Sequence, residues 1–328
     1  MKHLAWPAAA LLVAVAAVLS LAVGARAVPP SAVLDALLDG GSSPDALVVR
    51  SLRLPRTEIG LTAGAALGLA GAALQAVTRN PLADPGILGL SQGAAAGVVL
   101  AISLGLANGF SGYVWYAFVG AVVAACLVYA IAVRGRGGAS PVKLALAGTA
   151  LSAMTAGGTT VVLTSSSATL DQFRFWQVGA LSGRDADTVV RMLPFLGAGA
   201  LLVLACARGL DALALGDETA RALGHRVHTV RVCAALGATL LTASAVAAAG
   251  PIAFVGLAVP HLARRVTRGA AHRLVLPLSA LLGAALLLLA DVAGRVVRAP
   301  AEVPAGVMTA LVGVPVLVVL VRRKGTAT

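Results

Sequence analysis

The chain has 328 residues, of which 59% are hydrophobic and 12% are charged, and its mean hydropathy is +0.93. Soluble domains carry about 25% charged residues, so this composition excludes a soluble protein and indicates an integral membrane protein. The formal net charge is +12, but the basic residues cluster in short gaps between apolar runs. That pattern is a membrane-topology signal, and it argues against a nucleic-acid partner.

Ten apolar segments follow one another along the chain. About 20 apolar residues are needed to cross the hydrocarbon core as an α-helix. We therefore predict an all-α polytopic membrane protein in which residues 1–328 form one transmembrane domain. The eighth segment is short, and Pro251 and Pro260 predict that it is irregular. The predicted passes are residues 5–25, 57–77, 86–106, 113–133, 142–165, 189–207, 228–249, 252–268, 274–296 and 304–321.

The first segment fits two interpretations. Lys2 precedes an apolar run from Ala8 to Val23, and the triplet Ala-Arg-Ala follows it. This arrangement is typical of a cleavable signal peptide. The run also reaches the length of a short membrane span, which favours an uncleaved first helix.

A polar break interrupts the apolar sequence after the second predicted pass. Residues 79–85 read R-N-P-L-A-D-P, and apolar residues resume at Ile87. Pro81 and Pro85 cannot both lie inside one helix, because each removes a backbone donor and restricts the residue before it. Non-helical backbone near membrane depth is tolerated only where it is buried in protein or lines a watery cavity. The break therefore predicts a transport pathway or gate.

Small residues predict how the second helix packs. Gly60, Gly64 and Gly68 recur every four residues and form a stripe on one face, which permits close approach of another helix in lipid. The segment around Gly71 also resembles the segment around Gly250, and five passes separate the two. This similarity favours an inverted repeat; chance similarity in an alanine-rich chain is the alternative.

The distribution of arginine and lysine predicts the orientation. One set of alternate loops, together with both chain ends, carries more of these residues than the other set, and the richer set faces the cytoplasm. Both termini are therefore predicted to be cytoplasmic. The outer set still contains Arg53, Arg56 and Arg295. Exposed arginines on that face need a reason, and guanidinium groups suit bidentate contacts with carboxylates.

Missing motifs exclude several chemistries. The chain has no G-x-x-x-x-G-K-[ST] phosphate loop, and its only lysines are Lys2, Lys143 and Lys324, so it is not itself a P-loop ATPase. The histidines and the three cysteines lack the spacing of metal ligands. We therefore predict no catalytic residue and no metal site. Intramembrane carboxylates are scarce, chiefly Asp291 and Glu58, which disfavours the alternative class, a stand-alone ion-coupled secondary transporter.

Motifs in both halves of the chain resemble one family. The first half contains R-L-P-R at 53–56, R-N-P-L-A-D-P-G-I-L-G at 79–89 and Q-G-A at 92–94. The second half contains L-G-D-E-T-A-R-A-L-G at 215–224, G-P-I-A-F-V-G-L-A-V-P-H-L-A-R at 250–264, A-D-V-A-G-R at 290–295 and E-V-P-A-G at 302–306. In this order they resemble the permease family of iron–siderophore and vitamin B12 ABC importers.

The resemblance implies a permease subunit in the cell membrane that imports a ferric siderophore by alternating access, with vitamin B12 or haem as alternative cargo. It implies ten helices per subunit and a second permease subunit, of the same or a different sequence. Two ABC ATPase subunits would hold ATP and magnesium, so this chain would bind no cofactor and would not be an enzyme. An extracytoplasmic substrate-binding protein would deliver the cargo.

The resemblance also implies a docking site and a coupling site. Arg53, Arg56 and Arg295 match arginines that meet acidic groups of the binding protein; the alternative is that Arg295 pairs with Asp291 and that the others bind lipid headgroups. The loop 209–227 matches the element that couples to the ATPase, with an ordinary loop helix as the alternative. Within it we predict a short helix from Asp217 to Leu223 that exposes Ala220 and Leu223 on one side. The residues assigned to coupling are Gly216, Asp217, Glu218, Ala220, Leu223 and Gly224.

A gate is the third implied site. Asn80, Pro81 and Leu82 match family positions at the cytoplasmic end of the pathway, and Ser140 matches a second position less closely. An Asn–Pro turn gives a rigid bend, and Leu82 can close a pathway by hydrophobic contact. A purely structural turn is the alternative, because prolines punctuate loops generally.

Overall fold

The computed structural model describes residues 2–24, 28–38, 43–107, 109–134, 141–185, 187–269 and 271–325. Over these ranges the chain forms helices and turns, with no β-strand. The first eight α-helices are α1 (Lys2–Ala22), α2 (Pro30–Leu38), α3 (Pro44–Val48), α4 (Leu54–Thr78), α5 (Leu90–Ser103), α6 (Gly109–Val133), α7 (Pro141–Ser165) and α8 (Ser167–Gln177). They are followed by α9 (Asp187–Ala205), α10 (Ala207–Ala214), α11 (Asp217–Ala222), α12 (Val227–Ala249), α13 (Val255–Val266), α14 (His272–Val297) and α15 (Ala305–Gly325).

Seven helices in these ranges are long and apolar enough to cross a membrane, namely α1, α4, α6, α7, α9, α12 and α14. The other three predicted passes correspond to α5, to α13 and to α15, of which Ala305–Pro315 is apolar. The predicted all-α polytopic membrane fold is confirmed. As predicted, the eighth pass is short, and α13 contains Pro260.

The segment before α4 carries two short helices that were not predicted from the sequence. α3 begins after Ser43, whose side chain accepts a hydrogen bond from the Ala46 amide (3.1 Å), and Pro44 occupies its first turn. Serine followed by proline is a helix-start signal. A π-helical turn, Val49–Arg53, then joins α3 to α4.

Helices α4, α12 and α14 form the centre of the bundle. In their apolar windows 78%, 72% and 67% of the residues are buried, against 11% in α7. α4 packs on α12, α13 and α14, and alanine, glycine and leucine make up most of its sequence. Outer helices expose large apolar side chains such as Leu146 and Leu201, as expected of surfaces that contact lipid or another subunit.

The predicted glycine stripe of α4 packs against α14. A Cβ atom on Gly64 would lie 2.5 Å from the carbonyl oxygen of Gly283 and 2.8 Å from the Cα atom of Ala284. At Gly68 an added Cβ atom would overlap the backbone of Ser279. Since no side chain fits at these contacts, the two backbones touch, and the predicted close approach is confirmed.

The polar break after α4 ends that helix, as predicted. Arg79 caps α4 in the left-handed conformation (φ 50°), and Pro85–Leu88 form a 3₁₀ turn before α5. Gly89 follows with φ 71°, so α5 begins only at Leu90. The predicted third pass, 86–106, is therefore shortened at both ends.

A second irregular segment, residues 250–254, precedes α13. Gly250 and Phe254 have positive φ angles of 77° and 70°. A Cβ atom on Gly71 of α4 would overlap the backbone of Gly256, so α4 touches the start of α13. The two segments that resemble each other in sequence are thus in contact, and the inverted repeat stays a prediction.

Candidate functional site

At one end of the bundle, two arginines share a buried carboxylate. Asp291 on α14 has no solvent exposure (0%). Arg56 donates from Nη2 to its Oδ1 atom (2.8 Å) and from Nε to its Oδ2 atom (2.9 Å). Arg295 donates to Oδ2 from Nε (3.0 Å) and from Nη2 (2.5 Å). Arg56 also donates from Nη1 to Glu302 Oε2 (2.7 Å), which ties the segment after α14 to α4.

The same cluster holds the C-terminal end of α1. Arg53 donates from Nη1 to the carbonyl oxygens of Leu21 and Ala22, both at 2.7 Å. Arg295 donates from Nη1 to the carbonyl oxygen of Ser20 (2.7 Å). The last carbonyls of a helix lack partners within it, and cations near them are favourable. These contacts join the end of α1 to α4 and α14.

The geometry of this arginine cluster (Arg53, Arg56 and Arg295) corrects one expectation. The three arginines are not exposed: they are 6%, 9% and 2% accessible. The alternative interpretation, in which Arg295 pairs with Asp291 one turn earlier, is confirmed. The physical reason is that a buried carboxylate and the end of α1 both need hydrogen-bond donors, and the arginines supply them. A role in docking stays a prediction.

Two further arginines border the cluster at the surface. Arg50 and Arg298 are exposed, and neither forms an ion pair with another residue in the described ranges. Arg50 lies three residues before Arg53, and Arg298 lies three residues after Arg295. In the fold they are cations that a partner at this end can reach.

At the opposite end of α4 and α14 lie the short helices α10 and α11. α11 begins at Asp217 and ends at Ala222, with Leu223 as its C-cap. Gly216 before it and Gly224 after it have φ angles of 106° and 81°, a conformation that glycine adopts without strain. The predicted start at Asp217 is confirmed, and the helix ends at Ala222, one residue before the predicted end at Leu223.

The exposed surface of α11 differs from the predicted one. Ala220 is fully buried (0%) and belongs to the apolar core, whereas Leu223 is 60% exposed. The expectation that these two residues share an exposed side is therefore wrong. Glu218 is exposed, and so is Leu215 just before the helix. Leu215 and Leu223 are the large apolar side chains that the coupling segment exposes.

Carboxylates fasten the two short helices to the bundle. Asp217 accepts from Arg231 on α12 (Nη2 to Oδ1, 2.8 Å) and from Arg79 at the end of α4. Asp211 on α10 accepts from the backbone amide of His272 (2.8 Å) and also contacts its Nδ1 atom (2.7 Å). The coupling segment is therefore attached to α4, α12 and α14, through arginines and a histidine that the sequence interpretation did not assign to this site.

The segment after Arg79 forms a tight turn. Asn80 Oδ1 accepts from the Leu82 amide (2.9 Å), and the Asn80 carbonyl accepts from the Ala83 amide (3.1 Å). An asparagine side chain bonded to its own backbone two residues on rigidifies a turn. Asn80, Pro81 and Leu82 are all exposed. The predicted bend is confirmed, and its gating role stays a prediction.

Asp84 closes the turn and starts the next one. Its Oδ1 atom accepts from the Gly86 amide (2.8 Å). Burial raises the pKa of the Asp84 carboxyl, and the hydrogen bond from Gly86 opposes that shift in part. A half-buried carboxyl with a raised pKa therefore lies within the predicted gate segment.

A cavity of about 440 Å³ lies beside this turn, between the end of α4 and the start of α7. Asn80 and Asp84 line it on one side, and Val142 and Leu146 of α7 line it on the other. Ser140, the remaining predicted gate residue, lies outside the described residues. No group of three or more His, Cys, Asp or Glu side chains within the described ranges is placed to hold a metal ion.

The fold and these elements define a class of protein. A helical bundle with seven apolar spans, and with irregular backbone beside a cavity at one end, is the architecture of a polytopic membrane permease. The sequence profile of the FecCD transport family matches residues 11–323. The chain therefore belongs to the FecCD transport family.

Relatives align over most of their length. The chain is 46% identical over 324 residues to the ferric enterobactin transport system permease protein FepD of Escherichia coli (strain K12), covering 98% of this chain and 96% of the relative. It is 40% identical over 278 residues to the cobalamin import system permease protein BtuC of Halobacterium salinarum, covering 85% and 74%. A solved structure, described as an inward-facing conformation of a metal-chelate type ABC transporter, matches with a TM-score of 0.84 at 29% identity, over 98% of this chain and 100% of that chain.

Proposed function

We propose that this chain is the membrane-spanning permease subunit of an ATP-driven importer that carries a ferric siderophore, or a related bulky metal chelate, into the cytoplasm. The observation that carries the proposal is the 46% identity, over 98% of the chain, to a ferric enterobactin permease. Vitamin B12 is the second candidate cargo, because a cobalamin permease is 40% identical.

The subunit acts within an assembly. A second permease subunit, two ABC ATPase subunits and an extracytoplasmic binding protein complete it. ATP and magnesium belong to the ATPases, because this chain has no phosphate-binding loop, and the permease itself binds no cofactor. It lies in the cell membrane with both termini in the cytoplasm, since the loops on that side carry more arginine and lysine.

Alternating access supplies the mechanism. ATP binding draws the two ATPases together, and α11 moves with the ATPase surface that holds it. The exposed Leu215 and Leu223 insert into an apolar cleft of that surface. The two permease subunits then rock about their interface, so that the pathway opens in turn to each side. The turn at Asn80 and Leu82 closes its cytoplasmic end.

A pull-down from detergent-solubilised membranes tests this proposal. Leu223→Asp places a charge on the exposed apolar surface beside α11 and is expected to release the ATPase. Thr229→Asp adds the same charge at an exposed position of α12, outside that surface, and is the matched control. A P-loop ATPase should co-purify with the wild type and with Thr229→Asp, but not with Leu223→Asp. If no ATPase co-purifies with the wild type under mild conditions, the proposal is wrong and a secondary transporter becomes the better interpretation.

The binding protein docks, in this proposal, on the border of the arginine cluster. Exposed Arg50 and Arg298 meet acidic side chains of the partner, while the buried arginines keep the ends of α1, α4 and α14 in place. Charge reversal at both exposed positions (Arg50→Glu with Arg298→Glu) is expected to weaken binding, and more so at low ionic strength. Arg134→Glu, an exposed position at the opposite end, is the control. Equal affinity of the double variant and the control would contradict this docking surface.

A further inference from the structure

We propose that the ion pair between Arg79 and Asp217 is the link through which α11 positions the gate turn at residues 80–83. The inference rests on the proposed function, because it requires α11 to move with an ATPase. It adds a specific connection between two elements that are 138 residues apart in the sequence. Arg79 is in this sense a positioning residue: it acts on the gate through the backbone that it begins.

Arg79 is bonded directly to the first residue of the gate turn. It is the C-cap of α4, and its amide donates to the carbonyl oxygen of Ala76 (3.3 Å). The next residue, Asn80, closes the turn through its hydrogen bond from the Leu82 amide (2.9 Å). The left-handed backbone of Arg79 (φ 50°) is uncommon for a residue with a side chain. A pull on the Arg79 guanidinium therefore acts on the residue at which the helix ends and the turn starts.

Asp217 is joined to α11 in the same direct manner. It is the first residue of that helix, and Gly216 before it (φ 106°) forms the bend between α10 and α11. Its carboxylate accepts from two arginines on different elements, Arg79 at the end of α4 and Arg231 on α12 (2.8 Å). Arg231 lies within α12, whereas Arg79 lies at the junction between the end of α4 and the gate turn. The Asp217 carboxylate thus contacts Arg231 within α12 and Arg79 next to the gate turn.

The exposure of the pair suits a contact that breaks and reforms. The side chains of Arg79 and Asp217 are 41% and 27% exposed, whereas those of Arg56 and Asp291 are 10% and 0% exposed. An exposed pair is stabilised weakly, and water solvates both partners when it opens. A buried pair cannot open without leaving a charge unsolvated. The Arg79–Asp217 ion pair can therefore open at one end of α4, whereas the Arg56–Asp291 ion pair stays closed at the other.

The test uses the complete transporter, reconstituted in lipid vesicles with its ATPase and its binding protein, and measures cargo uptake per ATP hydrolysed. Arg79→Gln is expected to lower this ratio about fivefold, the factor that corresponds to about 1 kcal/mol, the upper value for an exposed ion pair. Arg134→Gln removes an exposed arginine at the same end of the bundle, outside the coupling segment and the gate turn, and is the matched control; it is expected to keep the wild-type ratio. Arg79→Lys keeps the charge and is expected to restore most of the coupling.

The outcomes distinguish a coupling role of the Arg79–Asp217 ion pair from a purely structural role, and they test the proposed importer function separately. An unchanged ratio in Arg79→Gln, or an equal fall in Arg79→Gln and Arg134→Gln, would overturn the link, while ATPase binding and stimulated hydrolysis would leave the proposed function intact. Should Arg79→Gln purify poorly, Asp217→Asn, which is expected to uncouple in the same way, decides the question. If the wild-type chain binds no ATPase at all, the proposed function is wrong and the link is overturned with it.

Discussion

Asp291→Asn perturbs the arginine cluster with the least change of shape. The side chain keeps its size, but the only buried carboxylate among the described residues becomes neutral. Arg295 then loses its acidic partner, and Arg56 keeps only Glu302, which is partly exposed. The end of α1 is affected as well, because Arg295 is oriented by Asp291 while it holds the carbonyl of Ser20.

The size of the effect follows from the burial of the three charges. Two opposite charges about 4 Å apart attract by about 4 kcal/mol at an effective dielectric constant near 20, and Asp291 takes part in two such pairs. Desolvation offsets much of this attraction in the intact cluster. Removal of one partner leaves the other charge buried and uncompensated, at a cost of about 3–5 kcal/mol. We expect Asp291→Asn to lower the free energy of unfolding by that amount.

The assay is unfolding of the purified protein in detergent, compared with a matched exposed pair. Asp171→Asn removes the partner of Arg174, in a pair whose side chains are 61% and 63% exposed, and should cost at most about 1 kcal/mol. If Asp291→Asn costs no more than Asp171→Asn, the reasoning is refuted. The arginines would then be solvated by water or lipid headgroups, and the cluster would be open to a partner after all.

Two further predictions concern packing and pH. Gly64→Ala is expected to lower the free energy of unfolding by about 1–3 kcal/mol, because the new methyl group meets backbone atoms of α14 that cannot rotate away. Gly197→Ala is the control: nothing lies within 4 Å of the added atom, so this variant should be neutral or slightly stabilising. Equal unfolding curves of the two variants in detergent would contradict the close helix contact. Because the pKa of Asp84 is raised, the folded state binds the proton of this carboxyl more tightly than the unfolded state does. The stabilisation that the bound proton provides is complete below the ordinary pKa of 3.8 and is lost as pH rises through the raised value. Asp84→Asn keeps a cap acceptor and should therefore gain thermal stability relative to the wild type as pH rises from about 4 to 7; a difference independent of pH would argue against a raised pKa of Asp84.

The positions of the long helices could be predicted from the sequence, because each depends on one local property, a run of apolar residues long enough to cross a bilayer. The break at residues 79–89 is also local, since two prolines and two glycines lie within it. The short α3 could have been found from Ser43 and Pro44, a helix-start signal that lies outside any apolar run. Within α11, glycines mark both ends, but a six-residue helix has no periodicity that reveals which side is buried. Ala220 was therefore assigned to the wrong side.

The partners of the arginines could not be predicted in the same way. Arg295 and Asp291 are four residues apart on one helix, so their pairing is visible in the sequence. Arg56 and Asp291 are 235 residues apart, and only the packing of α4 against α14 brings them together. That packing depends on the glycines of both helices, because the backbones must touch before the side chains at their ends can meet. The glycine stripe and the buried cluster are thus parts of one helix contact.

The two ends of α4 differ in a way that fits a rocking subunit. At its start, Arg56 is held by buried carboxylate contacts, and α1, α4 and α14 form a unit that cannot separate without exposing unpaired charges. At its end, Arg79 makes a solvent-exposed pair with a short helix that is fastened elsewhere by other contacts. A conformational change takes place where contacts are inexpensive to break, and the interior of a packed bundle resists it. We therefore expect rearrangement to concentrate at the turn after Arg79, while the clamp around Asp291 moves as a rigid body.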